Sequence, residues 1–258
     1  MAFKDRVRNL LYDLYERRVR RQLSDVAGPR HVGIILDGNR RWAREAGLDV
    51  GHGHRAGARK IADFLGWCQE ADVEVVTLWL LSTDNLGRTS DEIDTLLDII
   101  AGVVDDLTER DTRWRVRIVG ALDLLPTEVA ARLSAAALRT EGRKGMQVNV
   151  AVGYGGRREI ADAVRKLLQQ HAEVGTSIEE LAEVLTVDHI AEHLYTSGQP
   201  DPDLLIRTSG EQRLSGFMLW QSAHSEFSFC EAYWPAFRRV DFLRALRQYG
   251  ARHRRYGS

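Results

Sequence analysis

The sequence predicts a single α/β domain in which a central, mostly parallel sheet of about six strands is flanked by helices. Two observations predict it. Short apolar runs of strand length alternate with stretches of helical periodicity, the pattern that gives a parallel sheet with helices on its faces. Polar clusters follow several of those runs, at Asp37, Ser82–Arg88, Gly153–Arg157 and Arg207–Ser215, and ligands of such sheets bind beyond the carboxyl ends of the strands.

His31–Leu36 (HVGIIL) reads as a buried strand that ends at Asp37-Gly38-Asn39. A short helix is expected over Arg41–Ala46 and a longer one over Ala56–Ala71, with Ile61, Phe64, Leu65 and Cys68 on one face. Val73–Leu81 is the second strand, rich in β-branched and large apolar residues. A polar loop, Ser82–Ser90, leads into a helix with Ile93, Leu96, Leu97, Ile100, Val103, Val104 and Leu107 at helical spacing. Arg113–Val119 alternates as a third strand, and Pro126 suits the first turn of a helix over Thr127–Thr140. Gln147–Val152 is the fourth strand, with a helix from about Arg158. Ile178–Leu185 and Val187–Tyr195 are shorter helices, and Pro200-Asp201-Pro202 is a turn. Leu204–Ile206 and Phe227–Phe229 are the last strands, and a basic helix closes the chain. No linker divides residues 31–258, which are taken as one catalytic domain behind an extension, residues 1–30.

Composition narrows the function classes. The 258 residues are 44 % hydrophobic and 28 % charged, an ordinary globular balance. The formal net charge is −1, so phosphate affinity has to come from local arginine clusters and no nucleic-acid partner is expected. The two cysteines, Cys68 and Cys230, give neither a disulfide framework nor a metal spacing, which suits a reducing, cytoplasmic location. The longest apolar run, about Val75–Leu81, is far too short to span a bilayer. Residues 1–30 stand apart: eight basic against four acidic side chains give a local +4, with Phe3, Val7, Leu10, Leu11 and Leu14 at helical spacing. That reads either as a helix lying peripherally on an anionic membrane or, in the commoner use of such a stripe, as a packing element.

Four clusters carry the chemistry. In Asp37-Gly38-Asn39-Arg40-Arg41-Trp42, a strand-end carboxylate can hold Mg²⁺, which takes oxygen ligands and shares them with phosphate. Gly38 allows close backbone approach, the following helix start offers free N–H groups, and Arg40 and Arg41 add forked donors. An aspartate cap with solvated arginines is the bland alternative. In Gly53-His54-Arg55-Ala56-Gly57, His54 is a phosphate ligand or, almost as readily, a structural histidine; His52 and His54 with no third ligand do not make a metal site. Ser82-Thr83-Asp84-Asn85-Leu86-Gly87-Arg88 is a polar loop able to close over substrate, although a helix-capping connection would look the same. Arg207-Thr208-Ser209-Gly210-Glu211-Gln212-Arg213-Leu214-Ser215 has the arginines and small residues of a diphosphate cradle, and Glu226 farther on is a second candidate metal carboxylate. Gly153-Tyr154-Gly155-Gly156 fails as a dinucleotide fingerprint because Arg158 stands at its third glycine. Asp105-Asp106 reads as a solvated helix face.

Together, HVGIILDGNRRWA, GHRAG, LSTDNLGR, NVAVGYGGRREI, PDLLIRTSGEQRLSGFMLWQSAHSEF and the closing RRYG resemble the cis-prenyltransferase family, undecaprenyl diphosphate synthase-like, over nearly the whole chain after the extension. The resemblance implies a fold with a hydrophobic tunnel and a Mg²⁺-dependent homodimer. Its substrates would be isopentenyl diphosphate and an allylic diphosphate, feeding polyprenyl-phosphate lipid carrier synthesis. It implies that Asp37 holds the metal and that Glu226 completes that site. Gly38, Asn39, Arg40, Arg41, Trp42 and His54 would bind the allylic diphosphate, with Ser82, Leu86 and Arg88 beside them. Arg207, Arg213 and Ser215 would bind isopentenyl diphosphate, and Asn85 would lie near the proton lost after condensation.

The sequence departs from the family pattern at Leu86, where tryptophan is usual, and at Gln212 and Gly216. A further departure is Leu80 before Leu81-Ser82, where long-chain members resemble Ala-Phe. A leucine there fills volume in a close-packed channel, so the expected product is short, most simply (2Z,6E)-farnesyl diphosphate from geranyl diphosphate. A core leucine without control over length is the alternative. The competing functions are a long-chain polyprenyl diphosphate synthase and a non-catalytic prenyltransferase-like binding subunit. The second should have lost the aspartate and arginines that this chain keeps.

Overall fold

The computed structural model describes residues 28–109 and 113–256. The expected extension, residues 1–30, falls almost wholly outside the described residues. Six strands form one parallel sheet: β1 (His31–Ile35), β2 (Val75–Ser82), β3 (Arg115–Val119), β4 (Gln147–Tyr154), β5 (Leu204–Arg207) and β6 (Glu226–Phe229). Their order is β3-β4-β2-β1-β5-β6. Each strand lies within two residues of an expected start, because short apolar runs bounded by polar turns mark strands well. No helix among the described residues is long and apolar enough to cross a membrane.

The chain gathers into two compact units. The first takes residues up to Val76, Pro202–Arg213 and everything from His224. It holds β1, β5 and β6 with helices α1 (Asn39–Glu45), α2 (Val50–Glu70) and, near the C-terminus, α8 (Arg239–Tyr256). Asp49 caps α2 by accepting the His52 N–H at 2.9 Å, so this helix starts six residues earlier than its apolar stripe suggested and swallows the glycines Gly51 and Gly53. A Cβ on Gly53 would stand 2.3 Å from the Asn39 carbonyl oxygen, so this glycine lets α1 and α2 approach closely. The expected apolar face of α2 is buried at Ile61, Phe64, Leu65 and Cys68. The Phe64 ring meets Trp234 at 5.7 Å and Phe242 at 5.4 Å, both edge-on. Burying such a ring contributes about 1.5–3 kcal/mol.

The second unit, Thr77–Asp201 and Leu214–Ala223, holds most of β2, then β3 and β4. Its helices are α3 (Ser90–Glu109), α4 (Thr127–Leu138), α5 (Gly156–Glu173), α6 (Ile178–Val184) and α7 (Val187–Ala191). Trp79 stacks on Phe217 at 5.1 Å and meets Tyr154 edge-on. Asn149, fully buried in β4, donates to Thr77 and exchanges amide hydrogen bonds with Gln199. Glu159 is buried, accepting from the Tyr154 hydroxyl, the Tyr195 N–H and the Gln221 amide; burial pushes its carboxyl above the usual range despite those bonds. Asp105 corrects one expectation. It is not simply solvated but accepts from Arg132 at 2.9 Å and Arg139 at 2.6 Å, joining α3 to α4. Burial would raise its carboxyl, yet those guanidinium groups hold it below the ordinary range.

Candidate active site

The core of the site is built where β1 and β5 end. The two strands pair in parallel with Ile35 opposite Arg207, so the chain leaves β1 through Leu36 to Asp37 beside the last residue of β5. Arg207 Nη2 donates to Asp37 Oδ2 at 2.8 Å, with the arginine side chain 6 % and the aspartate 29 % exposed. Arg207 also donates to the Arg213 carbonyl, which folds the loop after β5 back over the strand end. Thr208, fully buried, ties the two exits together. Its hydroxyl accepts the Asp37 N–H at 2.9 Å and reaches the Asp37 carbonyl at 2.7 Å.

Arg41 stands one helical turn after Asp37 and faces the same carboxylate at 3.3 Å. It donates to Ser209 Oγ at 2.7 Å, pairs with Glu211 at 3.2 Å and lies over the Tyr233 ring, 5.6 Å from its centroid. Glu211 also pairs with Arg213. A half-exposed lattice of alternating charge results: Asp37 and Glu211 against Arg41, Arg207 and Arg213. Burial pushes the Asp37 carboxyl up, but hydrogen bonds from Arg207 and Ser209 and the charges of Arg207 and Arg41 outweigh it, so the group stays ionised below the usual range. Gly38 has φ 104° and a Cβ there would meet Tyr233 at 2.6 Å, so only glycine fits this turn.

The remaining expected ligands of the first unit fall into two sets. Arg40 and Trp42 are half-buried on α1 near the lattice, and Trp42 stacks on His52 with centroids 6.3 Å apart. His54 is half-buried in the second turn of α2, inside the helix and not at its start. Asn39 turns inward: its amide donates to the Leu36 carbonyl at 3.2 Å, and its Oδ1 is buried where a Cβ on Gly57 would lie 2.2 Å away. Its side chain therefore packs between α1 and α2. Glu226 is not brought to Asp37 within this chain. The β5–β6 register sets Glu226 beside Leu204, at the opposite end of β5 from Arg207, where it pairs with Arg252 at 2.6 Å.

In the second unit, the end of β2 organises its own cluster. Ser82 Oγ accepts the Asn85 N–H at 3.1 Å. Arg88 donates to Asn85 Oδ1 at 2.8 Å and pairs with Glu92 at 2.9 Å. Asn85 and Leu86 lie in a 3₁₀ turn, Asp84–Gly87, within the stretch expected to be loop. Leu80 is half-buried, whereas Leu78 and Val76 on the same face of β2 are fully buried, so that face opens only toward the strand's carboxyl end. Ser215, in the stretch after β5, is exposed and has φ 51°. A cavity of about 520 Å³ in this unit is lined by Asp94, Leu97, Asp98, Pro126, Glu128 and Val129; three carboxylates on its wall make it a poor place for a prenyl tail.

Thr208, Ser209 and Glu211 sat inside a recognised cluster without an assigned role, and their contacts with Asp37 and Arg41 were not readable from the sequence. Tyr233 carried no sequence signal, since its place under Gly38 depends on tertiary structure alone.

Comparison with known proteins identifies the family. Residues 35–257 match the family model described as putative undecaprenyl diphosphate synthase. The chain is 64 % identical over 248 residues, 96 % of its length and 97 % of the relative's, to the (2Z,6E)-farnesyl diphosphate synthase of Thermobifida fusca. It is 59 % identical over 255 residues, 98 % of its length and 97 % of the relative's, to the short-chain Z-isoprenyl diphosphate synthase of Mycobacterium leprae. A solved lavandulyl diphosphate synthase from Lavandula x intermedia, in complex with dimethylallyl diphosphate, superposes with a TM-score of 0.82 at 33 % identity, covering 90 % of this chain and 99 % of that one. The chain belongs to the undecaprenyl diphosphate synthase family of prenyltransferases.

Proposed function

We propose that the chain condenses isopentenyl diphosphate with a short allylic diphosphate in the cis sense, most simply geranyl diphosphate giving (2Z,6E)-farnesyl diphosphate. The observation that carries the reading is the lattice of Asp37, Arg41 and Arg207, an ionised carboxylate ringed by guanidinium groups at the end of a parallel sheet. The names of the Thermobifida fusca and Mycobacterium leprae relatives support the short product.

Ionising an allylic diphosphate spreads positive charge over carbon and leaves negative charge on the departing diphosphate. Arg40 and Arg41, the Gly38–Asn39 backbone and His54 would receive that charge where it develops, with Trp42 beside them. Such preorganised donors are worth most at a developing charge. Arg207, Arg213 and Ser215 would hold the diphosphate of isopentenyl diphosphate. Its terminal alkene carbon then attacks the allylic carbon as the diphosphate departs, positive charge develops on the neighbouring tertiary carbon, and a proton leaves from the carbon between that centre and the one bearing the diphosphate, near Asn85, with Ser82, Leu86 and Arg88 around it.

The site fits Mg²⁺. The Asp37 carboxylate is ionised and part-exposed, and no cluster of three or more His, Cys, Asp or Glu among the described residues forms a closed protein cage. One or two carboxylates shared with substrate phosphates is how Mg²⁺ is commonly held. Bound by Asp37 it would screen the charge on the leaving diphosphate.

Leu80 would close the end of the space for the growing tail. The chain would work as a homodimer, and the edge strand β6, with Phe227 stacked on a part-exposed Phe229, is a surface suited to that. Incubation with labelled isopentenyl diphosphate and dimethylallyl, geranyl or farnesyl diphosphate, with and without Mg²⁺, tests the reading through product size and double-bond geometry. A long polyprenyl product, or none with any primer, overturns it.

A further inference from the structure

Ser209 is one of four non-glycine residues with positive φ among the described residues, at φ 79°. L-residues adopt this region at a cost and hold it only where the surroundings enforce it. Here the enforcement is visible: the Ser209 N–H donates to the Ala232 carbonyl at 2.8 Å, and the N–H of Gly210, itself at φ 75°, donates to the Cys230 carbonyl at 2.9 Å. A glycine would relieve the backbone at position 209. What it would remove is one hydroxyl, in a residue only 8 % exposed. That hydroxyl accepts from Arg41 Nη2 at 2.7 Å, and the same guanidinium nitrogen faces Asp37 Oδ1 at 3.3 Å. One nitrogen of Arg41 is thus shared between the Ser209 hydroxyl and the Asp37 carboxylate.

We infer that Ser209 is a positioning residue, whose hydroxyl fixes the Arg41 guanidinium against the Asp37 carboxylate for diphosphate binding. The left-handed backbone at a non-glycine residue is retained for that hydroxyl. The inference rests on the function proposed above and adds to it a residue with no expected role in substrate contact.

The test compares Ser209→Gly with Ser209→Ala. Both lose the hydroxyl, but only glycine relieves the backbone. Wild type is first shown to turn over and to bind inorganic pyrophosphate by calorimetry, with and without Mg²⁺; failure there counts against the proposed function and not against Ser209. Both variants should bind pyrophosphate about tenfold or more weakly, the range expected for losing a hydrogen bond to charged groups. Their kcat should fall together. The glycine variant should nevertheless melt about 2–4 °C above the alanine variant. Binding within twofold of wild type in the glycine variant overturns the inference, as does binding that follows melting temperature across the two variants. If the alanine variant does not fold, the glycine variant decides alone: folded and weak in pyrophosphate supports the role, folded and normal refutes it.

Discussion

Replacing Thr208 by valine isolates the polar work of one buried hydroxyl. The side chain is fully buried and valine keeps its shape, so no cavity opens. The hydroxyl accepts the Asp37 N–H at 2.9 Å and donates to the nearer of two carbonyls, Asp37 at 2.7 Å against Ile35 at 3.2 Å. Two hydrogen bonds are lost at a time. None of the partners is fully orphaned, because the Asp37 N–H also reaches the Ile35 carbonyl at 2.9 Å and the Asp37 carbonyl keeps the Trp234 N–H at 3.0 Å. The cost is therefore two net hydrogen bonds at about 0.5–1.5 kcal/mol each, or about 1–3 kcal/mol. For a chain of this size that lowers the melting temperature by roughly 2–4 °C per kcal/mol. Urea unfolding followed by circular dichroism measures it at constant m-value, and Thr208→Ser should recover most of the loss by restoring the hydroxyl. Turnover of the valine variant should fall further than stability explains, because Asp37 loses the anchor on its own peptide group. A valine variant within about 0.5 kcal/mol of wild type, with full activity, would refute the reasoning.

Asp37→Ala should abolish turnover while the far-ultraviolet spectrum stays folded; a variant as active as wild type would remove the central assignment. Leu80→Ala should lengthen the product, read by chromatography of the dephosphorylated prenols, and an unchanged chain length would make Leu80 a core residue only. Acid should destabilise the protein through Asp37 and Asp105, whose carboxyls lie below the ordinary range in the fold. Their stabilisation is complete above the unfolded pKa of about 4 and is lost as pH falls through the lower folded values. Glu159 acts in the opposite sense, since its raised carboxyl favours the folded state most at low pH and loses that contribution as pH rises through its folded pKa. Asp105→Asn should therefore lose less stability than wild type between pH 5 and pH 3 in urea titrations, and an identical slope would show that the Arg132 and Arg139 pairs contribute nothing.

Much of the fold was legible because burial on both faces forces strands such as His31–Ile35 to be almost wholly apolar, and helices such as Ser90–Glu109 to carry a stripe. The boundaries that moved had local chemical causes that periodicity does not report. Asp49 starts α2 before its apolar stripe does, and Asp84–Gly87 tightens into a 3₁₀ turn. At the site, Asp37, Arg41, Arg207 and Arg213 were legible because ionic chemistry selects residue types that stand out in a sequence. Direction was harder to read. Asn39 is a reasonable phosphate ligand by type, yet its amide turns toward Leu36 and Gly57. Glu226 is a reasonable metal ligand by type, yet register carries it to the far end of the strand. Asp105 reads as a surface charge from sequence because its arginine partners lie beyond its own helix, in α4 and at the C-cap of α4.

The least legible residues hold the charged ones in place, and their arrangement explains why so much hydrogen bonding is concentrated in two short loops. Asp37 is held through its N–H by Thr208 and through its carbonyl by Trp234, while Ser209 and Gly210 are held by the carbonyls of Ala232 and Cys230. Asp37 and the segment that follows Arg207 are thus both sewn to the chain leaving β6. Like-charged guanidinium groups around one carboxylate would otherwise drift apart, and any drift would have to be reversed on each turnover as a diphosphate gains charge. Fixing the donors in advance removes that reorganisation from the reaction. Arg41, Arg207 and Arg213 are each already paired with Asp37 or Glu211, three guanidinium groups against two carboxylates, so under the proposed function an arriving diphosphate would exchange one anionic partner for another. The exchange disturbs the ion pairs of the side chains and leaves the backbone frame standing.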